Sequence, residues 1–104
     1  MNRTMQLRLA EVEAWGRSGR AEDVDRLMEW LGPEMTFTTS RLVDYALGLA
    51  TTPDAVARIE HYLFQGNAVQ RNYAALYFKR RGEMGLLDQA VRRGCIDEMQ
   101  AFSK

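Results

Sequence analysis

The chain has 104 residues, of which 46% are hydrophobic, and its 14 basic residues balance its 14 acidic residues. This length suffices for one domain with its own core, taken here as 1–104, and the charge balance excludes the long-range attraction to nucleic acid or anionic membranes that strongly basic proteins show. Cys95 is the single cysteine, which excludes an internal disulfide and is typical of a reducing compartment.

In chain order, the periodicity predicts seven helices, at about 4–16, 20–31, 38–50, 53–65, 67–81, 83–93 and 97–102. In the first, Glu11 and Glu13 interrupt the apolar residues, so we expect no signal peptide. No apolar run approaches the roughly 20 residues of a membrane span. We therefore expect a cytoplasmic protein of bacterial type.

Glycine and proline mark the boundaries between these segments. Gly16 is predicted to end the first helix and Gly19 follows it, and the second helix has apolar residues at the i, i+3, i+4 and i+7 positions of 24–31. Gly32 is predicted to take the left-handed position after this helix, where Pro33 prevents its continuation.

The later helices begin with N-cap signals. Thr52 is predicted to cap the fourth helix. Asn67 with Gln70, and Asp97 with Gln100, show the spacing of a capping box, in which two side chains satisfy each other's backbone amides.

Alternate helices resemble each other. Segment 24–31 (VDRLMEWL) aligns with 56–63 (VARIEHYL), and a weaker third copy begins at Met84. The helices between them, 41–50 and 71–80, also align, in either of two registers. A two-helix unit recurring at about thirty residues predicts an α-solenoid, with an irregular helical bundle as the alternative.

The segment NAVQRNYAALYFKRRG (67–82) is apolar over roughly 200° of its circumference, at 100° per residue. So wide an apolar surface predicts neighbouring helices on several sides. Its polar wedge consists of Arg71, Asn72 and Lys79, for which we expect either solvent exposure or a contact surface.

The same segment, continued by LLDQAV, resembles the second helix of a HEAT or armadillo-like repeat, an Arg followed by small residues and then a bulky one. Arg71, Ala74 and Ala75 carry this resemblance, which covers about 20–93 with the terminal helices as caps. The family usually has an Asp where this chain has Asn67. The resemblance implies an all-α fold of short antiparallel helices, stacked as a two-to-three-unit α-α superhelix. It also implies a non-enzymatic protein-interaction or scaffold module.

Few residues have the pattern of a chemical site. His61 is the single histidine and is expected at the surface, and Cys95 is expected to be a buried or half-buried inert thiol. The carboxylates of 11–25 are expected on solvated faces. We therefore expect no catalytic residue, metal site, cofactor or small-molecule substrate.

Two basic runs, KRR at 79–81 and RR at 92–93, raise the alternative of a nucleic-acid-binding accessory protein. Both lie in the last turn of a predicted helix, where cations complement the dipole, and about 15 Å of helix separates them. We therefore expect the partner to be another protein or a second copy, as in a homodimer, rather than nucleic acid. The candidate partner-binding residues are Arg71, Asn72, Lys79, Arg80 and Arg81.

Overall fold

The computed structural model describes residues 3–103, with side chains from Arg8 onward, and this part of the chain contains helices and no strand. Its helices are α1 (Arg3–Ser18), α2 (Ala21–Glu29), α3 (Phe37–Gly48), α4 (Pro53–Gln65), α5 (Ala68–Arg80), α6 (Met84–Arg92) and α7 (Glu98–Phe102). Each predicted helix is present, with ends within two residues of the prediction. In the described part of the chain, no helix combines the length and apolar character needed to cross a bilayer.

The predicted N-caps are confirmed. The Asn67 side chain accepts a hydrogen bond from the Gln70 amide while the Gln70 side chain accepts one from the Asn67 amide, both at 2.8 Å. Asp97 and Gln100 form the same reciprocal pair at 2.7 and 2.9 Å. The Thr52 hydroxyl accepts from the backbone amide of Ala55, the third residue of α4, at 3.1 Å. These local bonds satisfy amides that a helix start leaves without partners.

The left-handed position predicted for Gly32 is wrong. Among residues 3–103, positive φ angles occur at Gly19, Gly82 and Gly94. The chain leaves α2 through amides of Trp30 and Leu31 that bond to carbonyls three residues earlier, at 3.2 and 3.0 Å. This tightened last turn satisfies the terminal carbonyls without a left-handed residue.

The chain divides into two compact units, the first ending at Arg58 and the second beginning at Ile59, within α4. In the first unit α1, α2 and α3 pack on one another. Its core consists of side chains that are essentially inaccessible to solvent: Val12, Val24, Leu27, Met28, Leu31, Val43, Ala46, Leu47, Ala50 and Ala55.

Gly16 is a packing position inside α1, not the helix end that the sequence suggested. It is buried, and α1 continues to Ser18. A Cβ atom built on Gly16 would lie 2.2 Å from the backbone oxygen of Ala46 in α3. The backbones of α1 and α3 therefore meet at a distance that only a residue without a side chain permits.

Two sets of side-chain hydrogen bonds, here called the α2–α4 ties, join α4 and its N-cap to α2 and the turn before it, within the first unit. Arg58 donates to both carboxylate oxygens of Asp25, at 2.7 and 3.1 Å. The Thr52 hydroxyl donates to the Gly19 carbonyl in the turn before α2. Asp25 is thus half-buried and paired rather than on a solvated face, and the two ties connect helices that the sequence aligned as repeats.

In the second unit α5, α6 and α7 pack on one another. The buried residues of α5 are Ala74, Ala75, Tyr77 and Phe78, and only Ala68 and Arg80 of this helix are exposed. This burial confirms that α5 has neighbours on several sides.

We predict that Gly16→Ala lowers the free energy of unfolding by about 1–3 kcal/mol, because the added methyl group must push α1 away from α3. Helix propensity alone would predict a gain of about 1 kcal/mol, so the sign separates packing from propensity. Gly85→Ala in α6 is the matched control, since a Cβ there has no atom within 4 Å. Urea unfolding followed by circular dichroism measures both, and an unchanged or more stable G16A protein would contradict the close approach.

Candidate interaction surface

His61 and Cys95 are the chain's single histidine and single cysteine, whose side chains could take part in metal binding or nucleophilic chemistry. Among the described residues, no group of three or more His, Cys, Asp or Glu side chains is arranged to hold a metal ion. His61 is exposed, as predicted, and its ring contacts Tyr62 edge-on at 5.4 Å between centroids. Cys95 is half-buried, as predicted, and its Sγ lies 3.7 Å from the carbonyl oxygen of Phe64, to which it donates.

Arg71 and Asn72, the first two candidate partner-binding residues, are half-buried and have partners within the second unit. Arg71 donates through Nε to the Cys95 carbonyl and through Nη1 to the Gly66 carbonyl, both at 2.7 Å. Asn72 accepts from Gln100 Nε2 of α7 at 3.1 Å. Both side chains therefore hold turns and α7 against α5. That they also contact a partner stays a prediction.

The basic candidates lie at the C-terminal end of α5, with Arg81 as its C-cap. Lys79 is half-buried, Arg80 and Arg81 are exposed, and the Arg81 guanidinium lies 5.3 Å from the centroid of the Tyr77 ring. In the second basic run, Arg92 pairs with Asp88 at 2.9 Å. Its neighbour Arg93 lies 5.0 Å from the ring centroid of Phe64. Helix-end electrostatics and these aromatic and acidic contacts account for the positions of most of these cations.

We predict that Arg71→Lys destabilises the protein by about 2 kcal/mol, because one ammonium group cannot reach two carbonyls that a guanidinium spans. The control is Arg92→Lys, whose pair with Asp88 is largely exposed and should change stability by less than about 0.5 kcal/mol. Thermal and urea unfolding measure both variants. Equal effects would show that Arg71 does not hold the two turns together.

One carboxylate expected on a solvated face is buried. Asp23 is 6% exposed. It accepts a hydrogen bond from Arg26, and the Arg20 guanidinium lies 4.0 Å away. Burial acts to raise the pKa of Asp23, but hydrogen bonds with Ser18 and Arg26 and the charges of Arg20 and Arg26 outweigh it and lower the pKa below its ordinary value. The expectation of solvation is therefore wrong for Asp23, which closes the α1–α2 turn.

This shift has a definite pH dependence. Because the pKa of Asp23 is lower in the folded protein than in the unfolded chain, its ionised form stabilises the fold above pH 3.8, and this contribution is lost as the pH falls through the folded pKa. We predict that Asp23→Asn lowers the free energy of unfolding by about 2 kcal/mol at pH 7. The difference from wild type should shrink steadily below about pH 4. Urea titrations from pH 7 to 3 test this, and a pH-independent difference would contradict it.

An exposed apolar surface lies on α1 and α3, where sequence reasoning had placed no site. Phe37, Arg41 and Tyr45 follow one another at i, i+4 and i+8 along the outer face of α3. Phe37 is 75% exposed and Tyr45 is 45% exposed. With α1 they border a groove of about 490 Å³, here called the α1–α3 groove. Its lining residues are Leu9, Glu13, Phe37, Thr38, Arg41, Leu42 and Tyr45.

The polar groups of this groove are oriented by their neighbours. The Tyr45 hydroxyl donates to Glu13 Oε1 at 3.3 Å, which links α3 to α1 across the groove. The Arg41 guanidinium lies 5.5 Å from the centroid of the Phe37 ring. The groove thus combines apolar and aromatic surface with one acidic and one basic side chain, a composition common in protein interfaces.

A signal for this groove is present in the sequence of α3. The buried face of α3 is formed by Ser40, Val43, Ala46 and Leu47. Phe37, Leu42 and Tyr45 lie outside this face, so α3 has more large apolar residues than one core stripe needs. Two apolar faces on a helix that borders the outside of a unit are the pattern that would have identified the groove.

A second depression in the first unit, of about 520 Å³, lies beside the loop 32–36. Arg8 and Trp30 border it, with the guanidinium 5.3 Å from the ring centroid. Its lining is mostly loop residues, with Glu29 and Thr39 from the adjoining helices. Its aromatic side chain, Trp30, is half-buried, whereas Phe37 and Tyr45 in the α1–α3 groove are exposed.

The second unit also exposes apolar side chains. Met99 of α7 is 76% exposed and Phe102 is 47% exposed. Glu98 is exposed beside them, while Ala101 is buried against the unit. Glu98, Met99 and Phe102 share the outer side of α7, within about 100° by helical geometry, and are here called the α7 patch.

The chain matches no family model, no curated protein and no solved structure in the three comparisons made.

Proposed function

We propose that this chain is a non-enzymatic protein-interaction module of a HEAT-like repeat type, and that the α1–α3 groove is its contact surface. The observation that supports this most directly is the exposed stripe of Phe37, Arg41 and Tyr45. Tyrosine and arginine are enriched among the residues that dominate binding energy, and phenylalanine is enriched in interfaces relative to the rest of the surface. We place this function in the cytoplasm of a bacterial-type cell.

The exposure of Phe37 favours a binding role over a folding role. Full burial of a phenylalanine side chain is worth about 1.5–3 kcal/mol, and Phe37 leaves most of this unrealised within the chain because it is 75% exposed. A partner that covers it would recover that free energy. Exposed apolar surface bordered by polar groups is typical of interaction sites.

The shape of the groove favours a helical segment as the partner's contact element. The groove runs between two helices and offers apolar contacts at Leu9, Phe37 and Leu42. An amphipathic helix docks into such a groove with anchors at i, i+3, i+4 and i+7. Glu13 and Arg41 at its border would select the charges that flank those anchors.

The HEAT-like part of the proposal is supported by the ties between turns and helices. Asp25–Arg58 and Gly19–Thr52 join α2 to α4, the helices aligned as repeats. Arg71, which carried the family resemblance, bonds to the Cys95 carbonyl beyond α6. We propose that these contacts take the place of those made by the Asp that the family usually has at the position of Asn67, and that the helices stack as a short α-α superhelix.

We predict that Phe37→Glu abolishes capture of the partner without unfolding the protein. The tagged wild type and F37E are incubated with lysate of the source organism, with and without nuclease, and bound proteins are identified by mass spectrometry. The expected result is a protein that wild type retains after nuclease treatment and that F37E loses at least about tenfold.

Met84→Glu is the matched control, because Met84 is 47% exposed and belongs to the second unit, outside the groove. M84E should retain the partner as wild type does. A captured protein that F37E still binds would exclude the groove as the contact surface. A captured protein that disappears with nuclease would instead favour nucleic-acid binding by the basic helix ends.

A further inference from the structure

We propose that the α7 patch of one copy occupies the α1–α3 groove of a second copy, so that chains associate head to tail. The inference rests on the proposed function of the groove and names a particular occupant for it. The chain carries both halves of such a contact, one in each unit. Glu98, Met99 and Phe102 form the inserting half.

The apolar parts of the two surfaces match in kind. Met99 and Phe102 are separated by three positions, so they lie one above the other on α7 and form two neighbouring anchors. The groove offers the Phe37 and Tyr45 rings together with the half-buried Leu42. A methionine thioether and an aromatic ring make favourable contacts with aromatic surface of this type.

The charged parts of the two surfaces are complementary. Glu98 adjoins the two anchors and has no ion pair with the described side chains of residues 8–103. Arg41 in the groove lies over the Phe37 ring and likewise has no carboxylate partner in that range. The other charged residue of the groove, Glu13, already accepts from Tyr45. The groove therefore presents an available cation beside its apolar stripe, and α7 presents an available anion beside its anchors.

The geometry makes the contact heterologous, because a groove on one copy meets a different surface on the next. Such contacts propagate as open chains unless a rotation closes them into a ring. The patch has three residues, far fewer than the roughly 20–30 on each side of a stable interface, so the association belongs to the weak and transient class. The expected behaviour is an average mass that rises continuously with protein concentration.

Sedimentation and light scattering from about 10 µM to about 1 mM test the proposal. Phe37→Glu places a carboxylate in the groove, and Met99→Glu places one in the α7 patch. Each variant should remain monomeric. An equal mixture of the two should form a dimer and nothing larger, because only one intact groove and one intact patch can meet. Met84→Glu should associate as wild type does.

A charge exchange gives a second readout that leaves the apolar anchors in place. Arg41→Glu and Glu98→Arg should each weaken association about tenfold, and the doubly exchanged protein should recover it. Circular dichroism confirms that each variant is folded.

A wild type that stays monomeric at about 1 mM would overturn the proposal. Self-association that persists in M99E would also overturn it, since this would show that the α7 patch is not the occupant of the groove. Failure here is distinguishable from failure of the proposed function: a monomeric wild type whose partner capture is still lost in F37E would leave the groove as a site for another protein.

Discussion

The α1–α3 crossing depends on the absence of a side chain at Gly16. The 2.2 Å separation between a constructed Cβ and the Ala46 oxygen means that any other residue would force the helices apart. Leu9 and Glu13 lie at the same face of α1, two turns and one turn before Gly16. Leu42 precedes Ala46 on α3 by one turn. The contact at Gly16 therefore sets which residues of the two helices face each other along the groove.

Turns in both units are held by side chains that serve two acceptors or act as donor and acceptor at once. Thr52 caps α4 and donates to Gly19, and Arg71 bonds to two carbonyls. Buried polar groups without partners are destabilising, and none of the buried side-chain nitrogen or oxygen atoms in the described residues lacks one. One side chain placed between two backbone groups forms hydrogen bonds with both, so no further residues are needed to satisfy them. This arrangement suits short helices joined by short turns.

The helices and their caps were predictable because the interactions that define them are local. Asn67 and Gln70, for example, find each other within one turn, so their spacing in the sequence is sufficient. The same locality explains why the wide apolar surface of α5 correctly indicated several neighbours. Its burial reflects how many large side chains the helix itself contains.

The missed features depend on which segments meet. The sequence pattern predicts a helix end at Gly16 because a sequence alone does not distinguish a glycine that ends a helix from one that lets another helix approach. The pattern around Asp23 and Asp25 predicts exposure to solvent and does not reveal their pairing, because their partners include residues outside their own helix, Ser18 and Arg58. The sequence does not identify the surface of Phe37, Leu42 and Tyr45, because α3 has apolar residues on two faces. Which of these faces is exposed becomes clear only when the structure shows that the other is buried in the core.

The proposed contacts, taken together, imply competition for one surface. If the α1–α3 groove accepts both the α7 patch of another copy and a helix of a different protein, the two occupants exclude each other. A weak self-contact would then be displaced by a partner that offers more anchors than Met99 and Phe102, since each added buried apolar side chain strengthens binding. Self-association would shield the exposed Phe37 ring while the partner is scarce, and its weakness would keep the groove accessible when the partner is abundant. The short length of α7, five residues, suits such an occupant because it limits the number of anchors to two.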